Sequence, residues 1–209
     1  MTSFTVGATS VATLLQKFPE DNYTCVSRND MAKRCAAMQI HHMTSIPTLG
    51  YRSLRTGRRS LPGQLYLITT ITWQRKPYFL DTICARAAAR AISAAELWLP
   101  SRCLCWLLMP DHWHALIELG EDADLSTTMQ RVKDVTAREV KRQCAIDGSL
   151  WAKGFHDHAL RRDESVEEAA RYVIGNPVRA GLVEHPMDYP YWDAYFIGNS
   201  SRPGDALLR

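Results

Sequence analysis

The most chemically suggestive feature of this sequence is a pair of His-x-His motifs, each of which could bind a metal ion. One lies in the apolar run MPDHWHALIEL at residues 109–119, and the other lies in GFHDHAL at residues 154–160. In a β-strand, residues i and i+2 project from the same face about 7 Å apart, so two imidazoles can converge on one cation. A metal ion held in this way indicates metal-assisted catalysis, provided that a further ligand and a nucleophile lie nearby.

The residue between the two histidines distinguishes the motifs. Trp113, between His112 and His114, must project to the opposite face of the strand, where its large apolar ring favours burial against a core. The two histidines would then face away from that core. In the second motif the intervening residue is Asp157, whose charge resists burial unless it is paired. The sequence therefore favours His112 and His114 as the metal site.

The last predicted helix offers a nucleophile and a third ligand. Tyr172 and Asn176 are four residues apart and would lie one turn apart on the same helical face. A tyrosine next to Val173 and Ile174 could equally be packed in the core with its hydroxyl hydrogen-bonded. Asn176, followed by Pro177, could equally serve to end the helix. On spacing alone, both interpretations remain open.

These residues fall on elements that hydrophobic periodicity predicts as alternating strands and helices. Helix start signals are present, with Asp81 or Thr82 as the N-cap of the first helix and a Ser165-x-x-Glu168 capping box in the third. The order predicts an α+β ferredoxin-like fold, an antiparallel sheet with helices packed on one face. Strands are predicted at 64–73, in the hairpin 102–119 and around 155–162, and helices at 80–99, 124–145 and 165–177.

Length and composition restrict the class of protein. The chain has 209 residues, 46% of them hydrophobic, which is enough for one domain with a substantial core and a tail. A net charge of +3 gives mild support for an acidic partner such as nucleic acid. No run approaches the roughly 20 apolar residues that span a bilayer, so a soluble, cytoplasmic protein is expected. The six cysteines include no C-x-x-C pair and are interpreted as reduced thiols.

Three segments are expected along the chain. Residues 1–50 are expected to be a weakly ordered extension or the product of a start codon placed too early, since Met38 and Met43 both lie within them. A single domain is expected at 51–196 and a flexible tail at 197–209. The domain begins with the basic stretch YRSLRTGRRSLPG, which is either a solvated arm or an arm that lies along a phosphate backbone.

Four segments resemble the REP-associated tyrosine transposases, a branch of the single-tyrosine transposases in the HUH endonuclease superfamily. They are RTGRRSLPGQLYLITTITWQRKPYF, MPDHWHALIEL, LWAKGFHDHALR and ARYVIGNPVRAGLVEHP. The segments occur in family order, and the resemblance covers about residues 51–196. It implies a ferredoxin-like HUH fold that cleaves and rejoins single-stranded DNA at short palindromic repeats folded as hairpins.

The resemblance also implies roles for the site residues. Tyr172 is the nucleophile, His112 and His114 are metal ligands, and Asn176 is a third ligand through its amide oxygen. Such a ligand set suits Mg²⁺ or Mn²⁺ held jointly with a substrate phosphate, although imidazole would also accept Zn²⁺. Attack by the tyrosine on phosphorus gives a covalent phosphotyrosine and frees a 3′-hydroxyl. The linkage keeps the energy of the broken bond, so no nucleotide cofactor is expected, and the active unit could be a monomer or a homodimer.

Basic residues are expected to contact the DNA phosphates, although each taken singly could be an ordinary surface charge. The histidines of the second motif match a family segment near the active site and are expected to support it or contact DNA. The aromatic residues of DYPYWDAYF, at 188–196, could cap the sheet or stack on unpaired bases. The predicted DNA-contact residues are Arg55, Arg58, Arg59, Arg75, Lys76, Lys133, Arg138, Lys141, Arg142, His156 and His158.

Two other functions are consistent with the sequence. A domesticated protein could bind repeat hairpins without moving DNA, although the intact first histidine pair and Tyr172 argue against it. A metal-dependent hydrolase of another fold would need further carboxylate ligands. The first motif offers none before Glu118, which strand alternation places on the histidine face. A covalent protein–DNA intermediate would distinguish the transposase from both.

Overall fold

The computed structural model of the chain describes residues 60–161 and 163–194. The expectations for the N-terminal extension and for the C-terminal tail lie outside the described residues. The same holds for Arg55, Arg58 and Arg59, whose DNA contacts stay predictions.

An antiparallel sheet of five strands organises the described part of the chain. The strand order is β4-β1-β3-β2-β5, and every neighbouring pair is antiparallel. The predicted hairpin is β2–β3, and part of the aromatic segment expected to cap the sheet instead joins it as the edge strand β5. The predicted α+β fold with an antiparallel sheet is confirmed. The strands are β1 (Leu65–Ile71), β2 (Arg102–Met109), β3 (His112–Glu118), β4 (His156–Ala159) and β5 (Trp192–Ala194).

The described residues also form four α-helices. Asp81, Asp124 and Ser165 begin the first three, because the side chain of each accepts a hydrogen bond from a backbone N–H in the first turn. Among the described residues, none of the helices is both long and apolar enough to cross a bilayer. The helices are α1 (Thr82–Ile92), α2 (Leu125–Gln143), α3 (Val166–Ile174) and α4 (Asn176–Arg179).

The first helix is shorter than the sequence predicts. The alanine-rich run predicts a helix as far as Leu99, whereas α1 ends at Ile92. The buried indole of Trp98 donates a hydrogen bond to the carbonyl of Ile92 (2.8 Å), which satisfies one of the carbonyl groups left over at the helix end. Packing of Trp98 therefore takes the place of the last predicted turns.

Side-chain alternation along the strands divides the core into two clusters, one on each face of the sheet. Trp113 and Ile117 of β3 belong to a first cluster with residues of α1 and α2. Leu116 of the same strand belongs to a second cluster, together with Val173 and Ile174 of α3. The prediction that the helices share one face is therefore corrected for α3. This helix covers the opposite face, which carries the first histidine pair, because its own apolar residues need burial there.

A disulfide joins Cys84 of α1 to Cys144 just after α2, with the two Cα atoms 6.0 Å apart. The expectation that all six cysteines are reduced is wrong for this pair. Sequence spacing could not reveal it, because 60 residues separate the two cysteines and only the packing of α1 against α2 brings them together. Cys103 and Cys105 are free, in line with the expectation.

We expect reduction of this disulfide to destabilise the domain. A cross-link that closes a loop of 60 residues removes entropy from the unfolded chain, worth roughly 4 kcal/mol as an upper value. A reductant should therefore lower the melting temperature of the wild-type protein but not that of Cys84→Ser/Cys144→Ser, and the wild-type mass should rise by two hydrogen atoms. An unchanged melting temperature and mass would show that the bond does not form in solution.

Candidate active site

The first histidine pair lies on β3, the middle strand of the sheet, with both rings on one face. The ring centroids of His112 and His114 are 4.9 Å apart, and the ring planes are nearly perpendicular at 86°. Trp113 is fully buried on the opposite face, where it packs against Trp98 and Trp151. The structure separates the histidines from the tryptophan as strand alternation predicts, and it holds the two imidazoles close enough to share one cation.

His112 is oriented by Asp111. Its Nδ1 lies 2.5 Å from Oδ1 of Asp111, and Nη1 of Arg75 lies 3.2 Å from the other carboxylate oxygen. Burial on its own would raise the pKa of Asp111, but the hydrogen bond and charge of His112 and the charge of Arg75 hold this pKa below its usual value. An ionised carboxylate only accepts hydrogen bonds, so Nδ1 of His112 donates to Asp111, and a metal ion would meet the ring at Nε2.

His114 is oriented from the neighbouring strand β1. Its Nδ1 lies 2.9 Å from the hydroxyl of Thr69, its partner in the β1–β3 register. Burial, followed by the positive charges of His112 and Arg179, holds the pKa of His114 well below its usual value of 6.5. His114 is therefore neutral at physiological pH, and the neutral imidazole is the form that binds a metal ion.

These donors fit a divalent metal ion. Each Nδ1 of the pair is held by an oxygen, and within the described ranges neither Nε2 has a hydrogen-bond partner. Metal-binding histidines commonly show this arrangement, in which an outer oxygen fixes the tautomer and the orientation of the ring. Two imidazole nitrogens and an amide oxygen, with positions left open, form a donor set that a divalent metal ion accepts.

A second group of potential ligands lies on the other side of the sheet. Asp81, Cys84 and Cys144 bring three ligand atoms within 4.8 Å of one another. The two sulfur atoms are bonded to each other, and Oδ1 of Asp81 caps α1. This group therefore has no thiolate to offer a metal ion while the disulfide is intact.

Helix α3 carries Tyr172 across the histidine face. Val173 and Ile174 are buried in the second cluster, against residues of β2 and β3. Tyr172 points away from that cluster and is 55% exposed. The interpretation of Tyr172 as a packed core residue is therefore wrong, and its hydroxyl is accessible to a substrate.

Asn176 begins α4, and Gly175 separates it from Ile174, the last residue of α3. Its Oδ1 accepts a hydrogen bond from Nη2 of Arg179 (2.8 Å). Its Nδ2 is buried and has no hydrogen-bond partner among the described residues. One helix ends and the next begins at this point, which agrees with the helix-ending role of Asn176. The amide oxygen of Asn176 lies at the start of α4, four residues after Tyr172 in the chain.

Sequence reasoning missed three residues that organise the site. Asp111 lies within the predicted hairpin 102–119 and was given no role, although its place next to the first histidine was a signal. Thr69 could have been found by setting β1 in register with β3. Arg179 lies three residues after Asn176 and seven after Tyr172, spacings that bring side chains together on a helical surface.

The second histidine pair projects from the same face of the sheet as the first. Strand β4 pairs with β1 on the side away from β3, and Thr69 is the register partner of both His114 and His156. Residues directly opposite each other across antiparallel strands share a face, and two strand spacings place His156 about 10 Å from His114. Nε2 of His158 lies 3.0 Å from Glu164. The second pair thus borders the first, and its contact with DNA stays a prediction.

Lys133 has an internal role that the sequence did not reveal. Its ammonium group donates hydrogen bonds to the carbonyls of Ala152 (2.7 Å) and Gly154 (2.6 Å). Burial lowers the pKa of Lys133 from 10.5 to about 8, with the charge of Asp134 opposing this shift. Both hydrogen bonds tie the ammonium of Lys133 to the loop that leads into β4, and its contact with DNA stays a prediction.

The remaining predicted DNA contacts fall in two places. Arg75 belongs to the site through its ion pair with Asp111, and the exposed Lys76 follows it in the same loop. The basic residues of α2 lie on the helix that covers the first cluster, so the structure does not bring them to the histidine face. Those residues are Arg138, Lys141 and Arg142.

The part of the chain that carries this arrangement is similar to a known protein family. Residues 63–176 match the family model described as Transposase IS200 like. The matched segment runs from before β1 to the first residue of α4. It therefore contains both histidine pairs, Tyr172 and Asn176.

Two curated relatives are similar to the chain in sequence. A candidate REP-associated tyrosine transposase of Haemophilus influenzae is 29% identical over 140 residues, which cover 62% of this chain and 78% of that protein. A REP-associated tyrosine transposase of Escherichia coli K12 is 28% identical over 87 residues, which cover 41% of this chain and 50% of that protein. The chain thus spans about half the length of the second relative.

A solved structure of a REP-associated tyrosine transposase bound to a REP hairpin has a similar fold. The two structures superimpose with a TM-score of 0.50 at 22% sequence identity, over 65% of this chain and 79% of the other. At this identity the likeness bears on the fold alone, and it agrees with the ferredoxin-like HUH architecture.

Proposed function

The chain belongs to the IS200-like transposase family, and from this premise we propose that it cleaves and rejoins single-stranded DNA at hairpins of repetitive extragenic palindromes. The observation that carries the proposal is the position of α3 on the histidine face of the sheet. The helices that carry Tyr172 and Asn176 thereby lie on the sheet face that carries His112 and His114, which supports a role for Tyr172 as the nucleophile and for Asn176 as an oxygen ligand.

The proposed reaction is a transesterification. The Tyr172 hydroxyl loses its proton and its oxygen attacks phosphorus in line, while the bond from phosphorus to the 3′-oxygen breaks and that oxygen takes up a proton. The products are a 5′-phosphotyrosine and a free 3′-hydroxyl. Because the linkage keeps the energy of the phosphodiester, a second 3′-hydroxyl can attack it, release Tyr172 and join a new strand without ATP.

Five residues prepare the site for this reaction. When bound, Mg²⁺ or Mn²⁺ would polarise a non-bridging phosphate oxygen and stabilise the charge that develops on it. His112, His114 and Asn176 would hold the ion. Asp111 and Thr69 keep the two imidazoles in the orientation and tautomer that this requires.

A hairpin with a short unpaired flank is the proposed substrate. The names of both relatives refer to REP, and the solved structure contains a REP hairpin. Phosphates beside the cleaved bond would meet Arg75 and the second histidine pair, which border the site, and the basic residues that precede β1. We also propose that the activity takes place in the cytoplasm and that a monomer or a homodimer carries it out.

The proposal is tested with labelled single strands taken from the palindromic repeats of the source genome. The protein is incubated with each strand and Mn²⁺, Mg²⁺ or a chelator, and the products are separated on a denaturing gel. We expect a covalent protein–DNA band with metal ion and with strands that keep both the hairpin and its unpaired flank. A scrambled strand of equal composition is the matched control. Tight hairpin binding without a covalent band, whichever metal ion is present, would show that the protein binds hairpins and does not cleave them.

A further inference from the structure

Arg179 contacts both of the residues that α3 and α4 bring to the site. We propose that its guanidinium is a clamp that holds Tyr172 and Asn176 in one geometry and keeps a divalent cation from Asn176 until a phosphate draws the clamp away. The inference rests on the proposed function, because it concerns the same nucleophile, Tyr172, and the same ligand, Asn176. It states how Arg179 holds both residues before the substrate binds.

The contact with Asn176 fixes the direction of its amide. Arginine has only donor groups, so the atom that meets Nη2 of Arg179 at 2.8 Å must be the amide oxygen. The same oxygen is the atom that a metal ion would need. With Arg179 in this position, the amide oxygen of Asn176 accepts a hydrogen bond from a guanidinium that carries a full positive charge.

The contacts with Tyr172 fix the position of the nucleophile. The Cζ atom of Arg179 lies over the Tyr172 ring, 4.3 Å from its centroid, so the planar guanidinium covers one face of the phenol. Nη2 of Arg179 also donates a hydrogen bond to the backbone carbonyl of Tyr172, one of the free carbonyl groups at the end of α3. One guanidinium therefore holds the ring, the backbone and the neighbouring ligand.

The absence of a side chain at Gly175 makes room for this clamp. A Cβ placed at Gly175 would lie 2.8 Å from Nη1 of Arg179 and 3.1 Å from the carbonyl of Arg171. The φ of Gly175 is −75°, which alanine adopts without strain. A methyl group at this position would thus displace the guanidinium while leaving every charge and hydrogen-bonding group in the protein.

A cation and Arg179 compete for the same place. A divalent ion at Oδ1 of Asn176 and a guanidinium on that oxygen would repel each other in a partly buried site. A scissile phosphate resolves the conflict, because its oxygens accept charge-assisted hydrogen bonds from arginine and also bind the metal ion. We therefore expect the metal ion and the phosphate to bind cooperatively, and the free enzyme to bind the ion weakly.

A purely structural role for Arg179 makes different predictions. Arginine and lysine both cap helix C-termini, so a capping role would survive Arg179→Lys and would appear only in the melting temperature. Lysine keeps the charge but has no planar group to stack on the ring. Arg179→Gln removes the charge, Arg179→Lys removes the stacking, and Gly175→Ala displaces the intact group. The exposed Arg86 on α1 provides the control variant Arg86→Gln.

The experiment measures Mn²⁺ affinity by calorimetry in the absence of DNA and the rate of Tyr172 nitration by peptide mass spectrometry. We expect Arg179→Gln to bind Mn²⁺ about tenfold more tightly than wild type and to be nitrated several-fold faster at Tyr172. Arg179→Lys should be nitrated faster with nearly wild-type Mn²⁺ affinity. Gly175→Ala should change both quantities in the direction of Arg179→Gln, and Arg86→Gln should change neither.

Equal Mn²⁺ affinities and equal nitration rates in wild type, Arg179→Gln and Gly175→Ala would overturn the clamp, whether or not binding is measurable. Both readouts work without DNA, so they do not depend on the proposed reaction. Changed affinity and nitration together with no covalent DNA complex in wild type would leave the clamp standing and remove the proposed function. A covalent complex in wild type, with Mn²⁺ affinity and nitration rate unchanged in the variants, would support the proposed function and overturn the clamp.

Discussion

Replacement of Tyr172 by phenylalanine is expected to abolish the covalent protein–DNA complex and to lower strand cleavage at least about 10³-fold. Phenylalanine lacks the oxygen that would form the bond to phosphorus. The ring of Tyr172 is 55% exposed and makes its ring contact with Arg179, so loss of the hydroxyl should leave folding intact. Hairpin affinity should change less than about threefold, because the hydroxyl is needed for the chemical step rather than for binding.

Tyr78→Phe is the matched control for this measurement. Tyr78 is a half-buried tyrosine that packs beside the first cluster, away from the histidine face. Its variant should form the covalent complex in wild-type yield. A covalent band of undiminished intensity in Tyr172→Phe would assign the nucleophile to another side chain, and peptide mapping of the DNA adduct would then identify it.

Most features of the site that could be predicted from the sequence follow from the spacing of residues close together in the chain. Residues i and i+2 in a strand share a face whatever surrounds them, so the orientation of His112 and His114 and the burial of Trp113 could be predicted from alternation alone. The spacing of Tyr172 and Asn176 predicted one continuous helix, whereas the structure places them on α3 and α4. The assignment of a role to Tyr172 needed the family resemblance, because periodicity could not distinguish a core tyrosine from an exposed one.

Features that depend on packing between distant segments were not predictable in this way. The face that α3 covers depends on which cluster receives Val173 and Ile174, and alternation within one element contains no information on this. The disulfide between Cys84 and Cys144 likewise depends on packing between distant segments, because only the contact of α1 with α2 brings the two cysteines together. The internal hydrogen bonds of Lys133 were also hidden, since a lysine on an amphipathic helix has the same sequence pattern whether its ammonium meets solvent or a loop.

The choice between the two histidine pairs leads to the second large effect. Substitution of His114 by glutamine is expected to weaken Mn²⁺ binding at least about tenfold and to lower formation of the covalent complex about 10³-fold. The pKa of His114 is held low by burial and by nearby positive charge, and Thr69 fixes its ring. Glutamine keeps a polar group near Thr69 but has no imidazole nitrogen to offer the ion.

His158→Gln is the matched control, because it makes the same chemical change in the second pair. Nε2 of His158 already lies 3.0 Å from the carboxylate of Glu164, and its strand is separated from β3 by β1. Its variant should keep the Mn²⁺ affinity of wild type and lose at most DNA affinity. The reverse result, with metal binding lost in His158→Gln and kept in His114→Gln, would move the metal site to β4. Tyr172 and Asn176 would then act together with a metal ion at the second histidine pair on β4. That pair lies about two strand spacings from the first pair, which Asp111 and Thr69 orient.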